Sequence, residues 1–163
     1  MSRPPRLTTI DYRGGWRYFL TTCTLNRTCA FREREVVDLV WDQFRYTGEE
    51  EHVQITAFCF MPDHLHLLAE AIDERSDFRE FVRLAKQRSG WRYKRNTGKP
   101  LWQEGYHERV LRSDEASPEV ARYILGNPLR AGLVERVEDY PFWGSGTYSR
   151  EELIDYVGST GRS

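Results

Sequence analysis

With 163 residues, the chain is long enough to bury its apolar side chains around one core without covalent cross-links, so we expect a single domain over residues 1–163. Its three cysteines include no C-x-x-C pair and argue against a disulfide framework or a thiolate zinc site, while a net charge of −1 argues against a strongly basic, sequence-independent nucleic-acid coat. No apolar run approaches the roughly 20 residues of a membrane span, and residues 1–6 lack the apolar stretch of a signal peptide, so we expect a soluble, cytoplasmic protein without a membrane partner.

The first two predicted elements are a strand and a helix. Residues 16–25 (WRYFLTTCTL) are rich in aromatic and β-branched side chains and follow the turn signal Arg13-Gly14-Gly15, which indicates a strand. Between residues 33 and 46 the apolar side chains recur at helical spacing, and Gly48 stands where a glycine often ends a helix. We therefore expect the first helix to end just before Gly48.

A hairpin and a second helix follow. Residues 53–61 (VQITAFCFM) have the pattern of a buried strand, and residues 64–71 (HLHLLAEA) that of its antiparallel partner across a Pro62-Asp63 turn. Ser76 is a suitable N-cap for a helix that runs to about residue 95, before the break at residues 97–100.

The second helix lies in the most basic part of the chain. Residues 74–112 carry 11 basic and 5 acidic side chains, a local charge of +6, whereas both flanking segments are acidic. Such a surface suits a protein that binds an anion at one site, and a solvated charged helix would give the same composition. The sequence leaves both interpretations open.

The last third of the chain begins with a strand over residues 101–111. Ser117 and Pro118 suit the cap and the first position of a third helix, which Asn127-Pro128 is expected to end. The remainder is aromatic, glycine-rich and irregular, apart from a short acidic helix at 150–157.

The order βαββαβ followed by a helix indicates an α+β protein with a ferredoxin-like antiparallel sheet and two helices on one of its faces. The opposite face of the sheet is then left free. Because this fold serves many functions, the function has to be inferred from individual side chains.

His64 and His66 are two residues apart on a predicted strand, so their side chains project from the same face. Two neutral imidazoles side by side are able to share one divalent ion. Two half-exposed histidines without a ligand would show the same spacing. With no cysteine or third histidine at zinc-finger spacing, a closed structural zinc site is not indicated.

Tyr123 and Asn127 are four residues apart on the third helix and therefore neighbours on one side of it. An asparagine carbonyl there would complete a metal shell beside a tyrosine hydroxyl. The alternative is that Tyr123 packs in the core and Asn127 only ends the helix before Pro128.

Four stretches, in this order, are similar to a known family: WRYFLTTCTLNR at 16–27, FMPDHLHLL at 60–68, LWQEGYHERVLR at 101–112, and RYILGNPLRAGLV at 122–134, the last followed by DYPFWGSGTY. Together they extend over most of residues 13–148, where we place the core of the domain. In this combination the chain resembles the REP-associated tyrosine transposases, which are single-tyrosine transposases of the histidine–hydrophobic–histidine nuclease superfamily.

The resemblance implies a ferredoxin-like domain that cuts and rejoins single-stranded DNA, with Tyr123 as the nucleophile on a C-terminal catalytic helix. His64 and His66 would be metal ligands and Asn127 a third, amide-bearing ligand. Attack by the Tyr123 oxygen would leave a free 3′-hydroxyl and a 5′-phosphotyrosine link. The base that takes the phenol proton stays open between His107 and metal-bound water. Imidazole suits later transition metals while Mg²⁺ prefers oxygen ligands, so we expect either Mg²⁺ or Mn²⁺.

The expected partner is single-stranded DNA beside hairpins, bound by a monomer or a homodimer. Arg79, Arg83 and Lys86 would follow the DNA backbone, and Trp91 and Trp102 would stack on bases, unless these aromatic rings belong to the core. Two other functions remain open: a nucleic-acid-binding module that does not cleave, and a metal-dependent hydrolase that uses water. Covalent attachment of a labelled strand distinguishes the transposase from the binding module, and a free 5′-phosphate product identifies the hydrolase.

Overall fold

The predicted strands pair into one antiparallel sheet. The computed structural model describes residues 16–112 and 115–158, so residues 1–6 and the turn signal Arg13-Gly14-Gly15 lie outside the described part. In chain order the elements are β1 (Arg17–Cys23), α1 (Arg34–Glu50), β2 (Val53–Met61), β3 (His64–Ala71), α2 (Phe78–Thr97), β4 (His107–Val110), α3 (Ser117–Leu125), α4 (Asn127–Arg130), β5 (Trp143–Gly144) and α5 (Arg150–Gly158).

The strand order is β4-β1-β3-β2-β5, and all neighbouring strands are antiparallel. The first four strands with α1 and α2 form the βαββαβ arrangement, so the predicted ferredoxin-like α+β fold is confirmed. β5 is an addition to that prediction. It consists of two residues that pair with Phe58 and Cys59 at the edge of β2, and a strand this short has no alternating pattern to detect.

α1 and α2 cover one face of the sheet. Tyr18 and Leu20 of β1 and Leu65 and Leu67 of β3 are fully buried there. The rings of Tyr18 and Phe78 stack with their centroids 3.9 Å apart, which holds the start of α2 against the sheet. Because side chains alternate along a strand, this packing directs His64 and His66 to the opposite face.

The expectation of a free second face is wrong, because α3, α5 and the segment around Tyr140 cover it. The apolar side chains buried there are Ala57, Cys59, Met61, Leu68, Leu111, Val120, Ala121, Ile124, Leu125, Tyr140, Trp143, Leu153 and Val157. The aromatic tail and one side of α3 carry apolar side chains, whose removal from water is favourable. They pack against the apolar residues on this face of the sheet. α5 confirms the short helix predicted at 150–157.

The first helix ends later than predicted. α1 continues to Glu50, and Gly48 is a buried residue inside it. A Cβ atom at Gly48 would lie 2.7 Å from the carbonyl oxygen of Val53, so only glycine allows α1 to approach β2 this closely.

The second helix begins one residue later than predicted. Asp77 is its N-cap and accepts a hydrogen bond from the backbone N–H of Glu80, whereas the Ser76 hydroxyl donates to the carbonyl of His52. Gly98 ends the helix in a left-handed conformation with φ of 79°, as the break at residues 97–100 predicts.

The predicted end of the third helix is also corrected. α3 ends at Leu125, and Asn127 begins α4, because Gly126 keeps right-handed helical angles between the two. Pro128 fits the first turn of α4, where no N–H donor is needed. None of the helices in the described ranges is long and apolar enough to cross a membrane.

Candidate active site

The histidine pair lies in the middle of the sheet, on the face that α3 covers. His66 pairs with Thr21 of β1 and Cys59 of β2, and His64 pairs with Cys23 and Met61. The two imidazole rings meet edge to face, with their centroids 4.7 Å apart. The predicted common orientation of the two histidines is therefore present in the fold.

His64 is oriented by the residue before it. Its Nδ1 lies 2.7 Å from an oxygen of Asp63, whose second oxygen accepts a hydrogen bond of 3.0 Å from Nε of Arg27. Burial alone would raise the pKa of Asp63, but the hydrogen bonds from His64 and Arg27 outweigh it and hold this pKa below its usual value. A carboxylate on Nδ1 fixes the tautomer and leaves the lone pair of Nε2 for a ligand.

His66 is oriented by a hydroxyl. Its Nδ1 lies 2.9 Å from Oγ1 of Thr21 on the neighbouring strand. Burial, followed by the charges of His64 and Arg130, lowers the pKa of His66 to about 3. The ring is therefore neutral at physiological pH, which is the form that binds metal.

These donors fit a divalent ion with open coordination positions. Both imidazoles use Nδ1 within the protein, so each retains Nε2. No group of three or more His, Cys, Asp or Glu side chains suited to a metal occurs in the described ranges, which leaves an amide or water to complete a shell. Asn127, at the first residue of α4, makes no side-chain hydrogen bond to the described residues and is the nearest such amide in sequence to Tyr123.

Tyr123 is exposed although the helix that carries it is buried. Its exposed fraction is 53%, whereas Ile124 and Leu125 beside it are buried against the sheet. The Tyr123 ring meets the edge of Phe19 at a centroid distance of 6.1 Å, and Phe19 in turn lies 5.5 Å from His66. The alternative in which Tyr123 is a core residue is therefore wrong, and one aromatic ring separates it from the histidine pair.

Arg130 at the end of α4 folds back over the tyrosine. Its guanidinium carbon lies 4.0 Å from the centroid of the Tyr123 ring, and its Nη2 donates a 2.7 Å hydrogen bond to the Tyr123 carbonyl. A Cβ atom at Gly126 would lie only 2.9 Å from Nη1 of Arg130. Glycine at this position leaves the space that the guanidinium occupies.

A groove of about 410 Å³ opens beside Tyr123, lined by Phe19, Arg109, Glu119, Val120 and Tyr123. His107 lies on the same face of the sheet, paired with Thr21 on the side away from His66. With strands about 4.8 Å apart, this register places the two histidines roughly 10 Å from one another. His107 therefore lies to one side of the histidine pair and does not contact it directly.

The five predicted DNA-binding residues occupy different environments. Arg79, Arg83, Lys86 and Trp102 line a groove of about 800 Å³ between α2 and residues 102–106. Arg83 forms an ion pair with Glu80. Trp91 lies apart from this groove, 60% exposed, with the guanidinium of Arg95 over its ring at 5.1 Å. That these residues contact DNA stays a prediction.

Two of the five have structural contacts. The ammonium group of Lys86 donates to the carbonyls of Gln103 and Gly105. Trp102 packs against the ring of Phe31 and donates from Nε1 to the hydroxyl of Ser89. These contacts hold residues 101–106 along α2, which is why β4 begins only at His107 and not at residue 101.

Three residues of the site were not predicted: Asp63, Thr21 and Arg130. The contact of Asp63 could have been predicted, because an acidic residue directly before the first histidine is well placed to reach its ring. Thr21 becomes a partner only through the pairing of β1 with β3, and Arg130 only through the turn between α3 and α4. Neither contact has a local sequence pattern.

Comparisons with known proteins identify relatives of this chain. The family model described as "Transposase IS200 like" matches residues 15–127. A protein of Haemophilus influenzae described as "Putative REP-associated tyrosine transposase" is 26% identical over 145 residues, covering 81% of each chain. A REP-associated tyrosine transposase of Escherichia coli is 28% identical over 139 residues, covering 81% of this chain and 80% of its own length.

Among solved structures, a REP-associated tyrosine transposase bound to a REP hairpin superposes with a TM-score of 0.72 at 24% identity, covering 88% of this chain and 82% of the other. At this identity the superposition supports the fold. The resemblance stated from the four sequence stretches is confirmed by the family model and the two relatives. Since the matched residues make up more than half of its length, the chain belongs to the IS200-like transposase family and is a transposase by class.

Proposed function

We propose that the protein nicks and rejoins single-stranded DNA beside a hairpin, through a 5′-phosphotyrosine intermediate on Tyr123. One observation carries this proposal: an exposed tyrosine on a buried helix lies one aromatic ring away from a pair of imidazoles whose Nδ1 atoms are already engaged. This arrangement combines an accessible nucleophile with an adjacent set of ligands, as phosphoryl transfer requires.

In the cleavage step the oxygen of Tyr123 forms a bond to the phosphorus, and the bond from phosphorus to the 3′-oxygen breaks. The phenol proton leaves to a base, and the departing 3′-oxygen takes up a proton to become a hydroxyl. The phosphodiester energy is kept in the phosphotyrosine link, so attack by another 3′-hydroxyl reverses the step without ATP. Exposure of Tyr123 to solvent gives a DNA strand access to it.

His64, His66 and the amide of Asn127 would hold a divalent ion, Mg²⁺ or Mn²⁺. Such an ion, when bound, supplies positive charge that offsets the charge of the phosphate oxygens. The chain's own contribution is orientation: Asp63 fixes the ring of His64 and Thr21 that of His66. An imidazole held in one orientation binds metal more firmly than one that rotates freely.

Hairpin-flanked DNA as the substrate is supported by the related structure, whose protein is bound to a REP hairpin. The charge of the chain is consistent with a structured target. A net charge of −1 provides little bulk attraction for DNA, so recognition has to rely on shape and on a few bases.

The test is covalent capture of a labelled hairpin-flanked strand in the presence of Mn²⁺. Tyr123→Phe removes the nucleophilic oxygen and keeps the ring, so the adduct should disappear while folding and DNA binding persist. Tyr46→Phe is the matched control, because Tyr46 is 52% exposed on α1 and also lies beside an arginine, Arg88. An adduct in the Tyr123 variant would contradict the assignment. Cleavage that gives only a free 5′-phosphate would indicate a hydrolase, and DNA binding without cleavage a binding module.

A further inference from the structure

We infer that Arg130 is a catalytic residue, whose guanidinium binds the non-bridging oxygens of the phosphate that Tyr123 attacks. The inference rests on the proposed function of Tyr123. It assigns the charge neutralisation beside the nucleophile to the chain itself, in addition to any ion at the histidine pair.

The position of the guanidinium is the first argument. It lies over the Tyr123 ring, 4.0 Å from the centroid, and it is held there by the bond from Nη2 to the Tyr123 carbonyl. A phosphate within bonding distance of the tyrosine oxygen would also lie within contact distance of a cation on the same ring. The guanidinium has five N–H donors, and the bond to the Tyr123 carbonyl leaves most of them for a ligand.

The second argument is that Arg130 forms no ion pair with any carboxylate in the part of the chain that the structure describes. Other arginines around the site are paired: Arg109 with Glu115 at 2.7 Å, and Arg27 with Asp63 at 3.0 Å. Among the described residues, Arg130 has its hydrogen bond and its ring contact with Tyr123, and no ion pair with a carboxylate. An arginine that is ordered by its neighbours and keeps its charge available is suited to bind a phosphate.

The third argument is the location of Arg130 relative to the histidine pair. The Tyr123 ring beneath the guanidinium meets Phe19 at a centroid distance of 6.1 Å, and Phe19 lies 5.5 Å from the ring of His66. A phosphate that Arg130 binds and Tyr123 attacks would therefore lie on the same face of the sheet as the histidine pair.

During the reaction the guanidinium keeps its proton and forms no covalent bond. Negative charge spreads over the non-bridging oxygens as the tyrosine oxygen bonds to phosphorus and the 3′-oxygen departs. A preorganised cation stabilises that charge more in the transition state than in the bound substrate. Its loss should therefore reduce the rate of adduct formation more than the affinity for DNA.

The test compares Arg130→Gln and Arg130→Lys with the wild type in single-turnover adduct formation. Arg130→Gln should slow the reaction by about 100-fold or more, the scale seen when one charge-stabilising donor is removed. Arg130→Lys should be intermediate, because it keeps the charge and loses the fork of donors. Arg136→Gln is the control, since Arg136 is an exposed arginine outside the site and should leave the rate unchanged.

A second substrate distinguishes charge stabilisation by Arg130 from a purely structural role in holding α3 to α4. A methylphosphonate at the scissile position carries no charge on the non-bridging positions, so the wild type should lose most of its advantage over Arg130→Gln. An equal defect on both substrates would overturn the inference, as would an unchanged rate in Arg130→Gln. A wild type that forms no adduct, or a Tyr123→Phe variant that still does, would instead overturn the proposed function.

Discussion

His64 and His66 each use Nδ1 for a hydrogen bond within the protein, one to a carboxylate and one to a hydroxyl. This leaves two Nε2 atoms on one face, on rings whose centroids are 4.7 Å apart. The two hydrogen-bond partners differ in charge. Asp63 is a charged partner for a ring near the surface, whereas Thr21 is a neutral partner for a buried ring that stays neutral.

Metal binding is therefore predicted to depend on both rings. His64→Ala or His66→Ala should abolish cleavage and greatly weaken Mn²⁺ binding measured by calorimetry. Asn127→Ala should cost less, on the order of 10- to 100-fold, as expected for a supporting ligand. His107→Ala is the control for affinity, because it lies two strands from His66 on the same face. Unchanged Mn²⁺ affinity in both histidine variants would place the metal elsewhere.

At the scale of single residues, the sequence predicts which side chains belong to the site better than it predicts which residues they contact. The H-x-H spacing predicts that two histidines share a face, and the resemblance selects Tyr123 among nine tyrosines. The exposure of Tyr123 and the contact with Arg130 depend on how α3 packs and on the turn at Gly126. Both are features of the tertiary structure, which a local sequence pattern does not predict.

α2 illustrates the same distinction for a whole element. Its helical spacing and its basic character are visible in the sequence, and it ends within the predicted break at residues 97–100, slightly later than the predicted end near residue 95. The environment of Lys86 is not visible, because it depends on residues 103–105 folding back along the helix. Burial lowers the pKa of Lys86 to about 8, with Cys23 and Glu104 acting in the opposite direction.

Lys86→Ala is predicted to destabilise the protein. It would leave the carbonyls of Gln103 and Gly105 without their donor, at a cost of about 1–3 kcal/mol. Arg79→Ala, on the same helix and the same groove, should change stability by less than about 0.5 kcal/mol. Urea unfolding of both variants measures the difference. Equal stabilities would show that Lys86 is not structural, and its assignment to DNA binding alone would gain support.

The pH dependence of this difference has a defined sign. Folded Lys86 loses its proton near pH 8, while an unfolded lysine keeps its proton to about pH 10.4. Between these values the unfolded state binds more protons, so Lys86 contributes stability that increases with pH. The gap between the wild type and Lys86→Ala should therefore widen above pH 8 and stay constant below it.

For the whole molecule, the feature that the sequence failed to predict is the second covered face. The predicted order of elements is sufficient to predict the ferredoxin-like sheet, and the sequence of α3 is sufficient to predict a helix. The aromatic segment around Tyr140 has no regular period, so its packing onto β2 through Phe60 and Trp143 could not be inferred. The same hydrophobic cluster holds the buried side of α3 against the sheet.

The overall charge leads to a prediction about the substrate. Some arginines in the basic region pair with carboxylates, including Arg83 with Glu80 and Arg88 with Glu50, which reduces the charge that this region offers to phosphates. Cleavage should prefer a hairpin-flanked single strand to an unstructured strand or a duplex, and it should fall with salt less steeply than for a strongly basic protein. Parallel assays at low and moderate salt, with Mn²⁺, measure both effects. Equal cutting of the duplex, or indifference to the hairpin, would contradict this prediction.

α3 is buried against β2 and β3 of its own chain, and this has a consequence for how the reaction scales with protein concentration. Tyr123 and the histidine pair lie on the same face of one chain, one aromatic ring apart. Under the proposed mechanism each polypeptide would supply its own tyrosine and imidazoles, and no second copy would have to lend a tyrosine. Cleavage is then expected to be first order in protein, and diluting the enzyme should lower the yield in proportion without a threshold.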